Sequence, residues 1–109
     1  MAGLAVADNT DLTFDVVETD AQTVTVRLAG ELDITNVERL AAAVAPELER
    51  EPDRLIVDVG ELHFADSSAI ALWVKWAASV ARMELRHVPP LLRRVVDSMG
   101  LSETLKVQP

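Results

Sequence analysis

Ser67 and Ser68 are the side chains in this sequence whose type and spacing could carry chemistry. They follow Asp66 at the point where a strand, a short loop and then an amphipathic helix are expected in succession. A helix start leaves backbone N–H groups unpaired and carries the positive end of the helix dipole, so it can hold a phosphate. The plainer reading is capping, since Ser and Asp at a helix start are worth about 1 kcal/mol. His63, Asp66 and Ser68 also outline a nucleophilic triad. They crowd onto one short loop, where a base is seldom oriented against a hydroxyl, and no nucleophile elbow or oxyanion motif accompanies them. These residues therefore do not read as those of a hydrolase.

Composition narrows the classes further. The 109 residues make one domain, and half of them are hydrophobic. With only four aromatic residues, Phe14, Phe64, Trp73 and Trp76, the core must be built from Val, Leu, Ile and Ala. The absence of cysteine rules out disulfides and thiolate metal sites, and agrees most easily with the cytoplasm. Two isolated histidines, His63 and His87, form no metal-ligand pattern, and His87 reads as structural. No cofactor is expected. Neither a signal peptide nor the roughly 18 apolar residues of a membrane span is visible, so no membrane insertion is expected. A net charge of −8 argues against direct nucleic-acid binding. Residues 1–66 hold 15 acids and 4 bases, while 67–109 hold 3 acids and 6 bases. Surface solvation explains that asymmetry most simply; an acidic face for a basic partner is the functional alternative.

The elements that must position the serines follow from periodicity. Residues 1–10 read as a flexible N-terminal arm and 11–109 as the domain. Strands are expected over Thr13 to Glu18 and Thr23 to Leu28, joined by a turn at Asp20-Ala-Gln. Thr35 with Glu38 forms a capping box for a first helix whose inner face is Val37, Leu40, Val44 and Leu48; Pro46 should kink or break it. Arg54 to Val59 reads as a central strand covered on both faces. The serine-led helix should run from Ser67 to about Arg82, followed by a strand from Met83 to Val88. Its core stripe is Ile70, Trp73, Ala77 and Val80, and a second stripe of Ala69, Leu72 and Trp76 makes Trp76 the best candidate for an exposed anchor. Pro89-Pro90 opens a third helix with Leu91, Leu92, Val95, Val96 and Met99 inward and Gly100 as its stop, and Arg93 and Arg94 form a solvated face. Leu101 to Val107 adds a last turn or an edge strand. The order β-β-α-β-α-β-α implies an α/β fold with a mixed, mainly parallel sheet of four to five strands.

Four motifs in this order resemble the STAS domain family, the anti-sigma-factor antagonists, across residues 12–107. They are Gly30-Glu-Leu-Asp-Ile, Leu55-Ile-Val-Asp-Val, Phe64-Ala-Asp-Ser-Ser and the run from Val88-Pro-Pro to Met99-Gly-Leu. The resemblance implies that the second serine, Ser68, accepts a phosphate from an anti-sigma factor with a serine-kinase ATPase domain. The unmodified antagonist binds that kinase, and a serine phosphatase restores the binding form. The implied switch comprises Asp66, Ser67 and Ala69 around Ser68, and the implied partner surface comprises Asp33, Ile34, Phe64, Ser67, Ser68, Leu72 and Trp76. Two departures from the family pattern stand out. Ala69 replaces the usual glycine, adding bulk where a kinase loop would approach, and Asp66 to Val88 is shorter, so the second helix ends early or joins its strand tightly. Stand-alone members also serve as constitutive subunits, for example of a lipid-transport ATPase, or as signalling scaffolds without a phosphate switch.

Overall fold

In the computed structural model, residues 11–108 are described, and the expected arm at 1–10 lies outside them. Strands β1 (Leu12–Asp20) and β2 (Thr23–Leu32) form an antiparallel hairpin. Helix α1 (Val37–Glu49), strand β3 (Arg54–Ala65), helix α2 (Ser67–Ser79), strand β4 (Arg82–Arg86) and helix α3 (Pro90–Ser98) follow. The sheet order is β1-β2-β3-β4, with β2, β3 and β4 mutually parallel. The expected element order and mixed four-stranded sheet are present. The final segment turns back and adds a single parallel bridge, Val107 to Leu85.

All three helices bury their apolar residues in one cluster with Val24, Val26, Leu28, Leu55, Val57, Val59, Met83 and Leu85 of the sheet. Among the described residues, no helix stripe covers the opposite sheet face. Asp15, Arg27, Asp58 and Arg86 pair in register across all four strands there, alternating in charge. The expectation of a β3 covered on both faces is therefore overturned. Ile56 is buried on the polar face because the side chains around it close over it.

On that polar face, Glu84 receives two bonds from each of Arg54 and Arg86, at 2.8–3.1 Å. Burial works against its charged form, but the two guanidiniums outweigh that and hold the carboxyl below its usual range. Asp58 is likewise held low: partial burial raises it, and the Gly60 N–H, His87 and Arg27 more than offset the rise. Carboxyls with depressed folded-state pKa values stabilise the fold above their ordinary range, and that contribution is lost as pH falls through the folded values. Stability should therefore decline progressively as pH falls from the ordinary carboxylate range toward these lowered values. Glu84→Gln should lower stability near neutral pH by about 1 kcal/mol, given the part-exposed arginines, and flatten the acid limb of a pH series of thermal melts.

Three local expectations are corrected. The loop expected after Val59 is strand: β3 continues to Ala65 with two extra residues relative to β2, because β2 itself extends through Gly30 to Leu32 and offers partners. Gly30 permits that extension. Its φ is +99°, and a Cβ there would clash with the Asp11 carbonyl. Pro46 does not end α1, which runs unbroken to Glu49; Ala42, whose carbonyl loses its partner, is exposed to water. Helix α2 stops at Ser79, with Val80 extended as its C-cap, because Arg82 already donates to the Asp53 carbonyl to begin β4.

Candidate functional site

The serines sit at the carboxyl end of the parallel strands, where β2 and β3 deliver two neighbouring loops. One is the turn from Asp33 to Asn36; the other is Asp66 with the start of α2. The first turn folds by its own short polar side chains. Asp33 Oδ1 accepts from the Thr35 N–H at 2.9 Å and from the Thr35 hydroxyl. Asn36, only 5% exposed, accepts from the Asp33 N–H at 3.0 Å and donates to the Glu31 carbonyl at 2.9 Å. Asn36 is thus the N-cap of α1, without a side-chain cap bond, and the expected Thr35–Glu38 capping box does not form. Thr35 Oγ1 is committed to Asp33 instead.

Asp66 caps α2. Its Oδ1 accepts from the N–H groups of Ser68 at 2.9 Å and Ala69 at 3.3 Å, and from the Ser68 hydroxyl. Its Oδ2 accepts from the Ile34 N–H at 3.2 Å. The Ser68 hydroxyl is the main cause that holds the Asp66 carboxyl below its usual range, opposed by burial and assisted by the three N–H donors. The two hydroxyls of the pair are not equivalent. Ser67 is exposed and its hydroxyl makes no hydrogen bond to the described residues, whereas Ser68 is half-buried and bonded to Asp66. Ala69 is fully buried, so its methyl group points into the core and adds no bulk to the approach surface. His63 is exposed on β3 and shares no hydrogen bond with Asp66 or Ser68, so no nucleophile–base pair is assembled.

Around this end the surface is acidic and apolar. Glu31, in register with Phe64, is exposed beside the half-buried Asp33 and Asp66. Ile34 is 71% exposed and Phe64 51%. Of the expected partner surface, Asp33, Ile34, Phe64, Ser67 and Ser68 therefore gather at one end. Leu72 and Trp76 do not join them as exposed side chains: both are buried, because α2 lies against α1 as well as β3 and β4. The exposed-anchor role for Trp76 is overturned. The third helix errs in the other direction. Leu92 and Val96 are buried, but Leu91, Val95 and Met99, expected inward, face solvent on the next stripe. Leu91 and Val95 with Phe64 and Pro89 line a groove of about 250 Å³ beside the switch end.

The fold is a two-layer α/β domain with a capped serine pair at the carboxyl end of its sheet. The family model described as the Mlab, STAS domain matches residues 16–108, and the chain belongs to the STAS domain family. An anti-sigma factor antagonist from Mycobacterium paratuberculosis shares the fold, with TM-score 0.81 and 21% identity over 90% of this chain and 86% of that one. The Bacillus cell fate determinant SpoIIAA in its phosphorylated form gives TM-score 0.71 at 25% identity, covering 89% of this chain and 92% of that one. The anti-sigma factor antagonist SpoIIAA in its unphosphorylated form gives 0.73 at 24% identity, covering 89% of each chain. No curated protein matches the sequence. No helix among the described residues is long and apolar enough to cross a membrane.

Proposed function

We propose that this chain is an anti-sigma-factor antagonist that binds a kinase-type anti-sigma factor and is switched off by serine phosphorylation at the start of α2. The observation that carries the proposal is the Asp66-capped serine pair set among exposed Ile34, Phe64 and a rim of carboxylates. The partner kinase performs the phosphoryl chemistry, a serine phosphatase reverses it, and this chain supplies the acceptor and the docking surface. The resemblance assigns the acceptor to Ser68. Exposure makes Ser67 its competitor, and phosphopeptide mapping of the parent beside Ser67→Ala and Ser68→Ala separates the two.

The apolar side chains supply affinity and the carboxylates supply orientation and selectivity against acidic surfaces. Ile34→Glu and Phe64→Glu should each leave the fold intact, since both side chains are exposed, yet weaken partner binding by about thirtyfold, the scale of one hot-spot residue. Titration calorimetry against candidate kinase-type anti-sigma factors checks this. Unaltered affinity in both variants would remove the switch end from the interface.

The match to a model described as the Mlab, STAS domain favours a second reading. Here the chain is a constitutive interaction subunit, for example of a lipid-transport ATPase, with no phosphate switch. In that case the serine pair serves as a helix start only.

A further inference from the structure

The Asp66 carboxylate joins two segments that lie 32 residues apart in the sequence. Through Oδ1 it holds the first turn of α2, and through Oδ2 it holds the tip of the Asp33–Asn36 turn at the Ile34 N–H. The side-chain bonds that shape the rest of that turn are internal to it or run to Glu31, so they hold the turn's form without reaching α2. Ile34, the most exposed apolar side chain at this end of the sheet, therefore takes its place relative to the serines partly from one carboxylate oxygen.

We propose that Asp66 is a positioning residue that couples the modification state of the serine pair to the Ile34 turn, a phosphate displacing its carboxylate and freeing the turn tip. The inference rests on the reading that this pair is phosphorylated. In that reaction a serine oxygen bonds the terminal phosphorus of a nucleoside triphosphate, the bond to the diphosphate breaks, and the hydroxyl proton leaves. Modified at Ser68, the side chain can no longer donate to Asp66 and instead sets a dianion against Oδ1. Modified at Ser67, the phosphate lies over the same helix start. In either case its three strong acceptor oxygens compete for the Ser68 and Ala69 N–H groups, and the carboxylate is repelled. Ile34 then loses its acceptor. The depressed pKa of Asp66 fits a carboxylate whose charge these donors share. The partner would meet both an added charge and a loosened contact residue.

The test uses the full chain with phosphoserine installed during synthesis at position 68 or at position 67, so neither a kinase nor a partner enters. Amide hydrogen exchange is read by NMR at Ile34, with Leu55 and Leu85 as core controls. Exchange at Ile34 should quicken about tenfold in both phosphorylated chains and in Asp66→Asn, the scale of one lost charge-assisted bond. It should stay near the parent value in Ser68→Ala, which keeps the carboxylate, and the core amides should not move. Ile34 exchange within about twofold of the parent in both phosphorylated chains would overturn the coupling, as would an equal rise at Leu55 and Leu85. Failure here leaves the phosphorylation reading standing, because that reading is decided by what native cells do to the serines.

Discussion

Trp73→Ala should remove about 3–5 kcal/mol of stability, the largest loss expected from any single truncation in the chain. Trp73 is the largest of the fully buried side chains, on the helix that carries the serine pair and in a core that, apart from Trp76 and Met83, is built from aliphatic residues. Few neighbours are large enough to collapse into the space it leaves. A domain of this size has about 5–15 kcal/mol in total, so the variant would hold only a fraction of its stability. Trp73→Phe should behave differently. The indole N–H is buried without a hydrogen-bond partner among the described residues, so removing it relieves a penalty of about 1–3 kcal/mol that offsets much of the smaller cavity. Urea unfolding should place the Phe variant within about 1.5 kcal/mol of the parent and the Ala variant far below it. A similar loss in both would mean that ring volume alone sets the cost.

A single phosphate on the serine pair should weaken binding to the anti-sigma factor by about a hundredfold or more. It brings about −1.5 to −2 charges to a surface that already carries Asp33, Asp66 and Glu31. A juxtaposition of like charges at a desolvated contact costs several kcal/mol. The effect is partly long-range and should shrink as salt is added, since Glu31 is exposed and Asp33 and Asp66 are only half-buried. Calorimetry of the unmodified and phosphoserine-bearing chains at low and high salt measures both. Equal affinities at low salt would remove electrostatic repulsion from the account.

Much of this organisation was legible in the residues, and the exceptions have physical causes. Alternation of Val24, Val26 and Leu28 and the run Leu55-Ile-Val marked the strands, and the Asp66-Ser-Ser turn marked the start of α2. Periodicity shows which helix positions are apolar but not which stripe faces inward. Helix α3 has two adjacent stripes and buries Leu92 and Val96; helix α2 also has two, and buries both because α1 flanks it while the sheet lies beneath. The expected strands stopped at Leu28 and Val59, short of the observed ends, because Gly30 tolerates a positive φ within β2 and Gly60 lies where β3 gains extra residues, neither of which shows as alternation. Asn36 left no sequence signal of its role. Its importance comes from burial beneath a turn closed by Asp33 and Thr35, and only the folded chain places those groups together.

The central claim is a reversible phosphate switch at the start of α2. Its most direct test is the intact mass of the chain isolated from its native cells, with phosphopeptide mapping and the Ser67→Ala and Ser68→Ala variants alongside. A fraction heavier by one phosphate, mapped to this pair and lost in one of the two variants, is the expected result. A chain that is never modified, even when incubated with ATP and candidate kinases, would contradict the switch and leave the constitutive-subunit reading in its place.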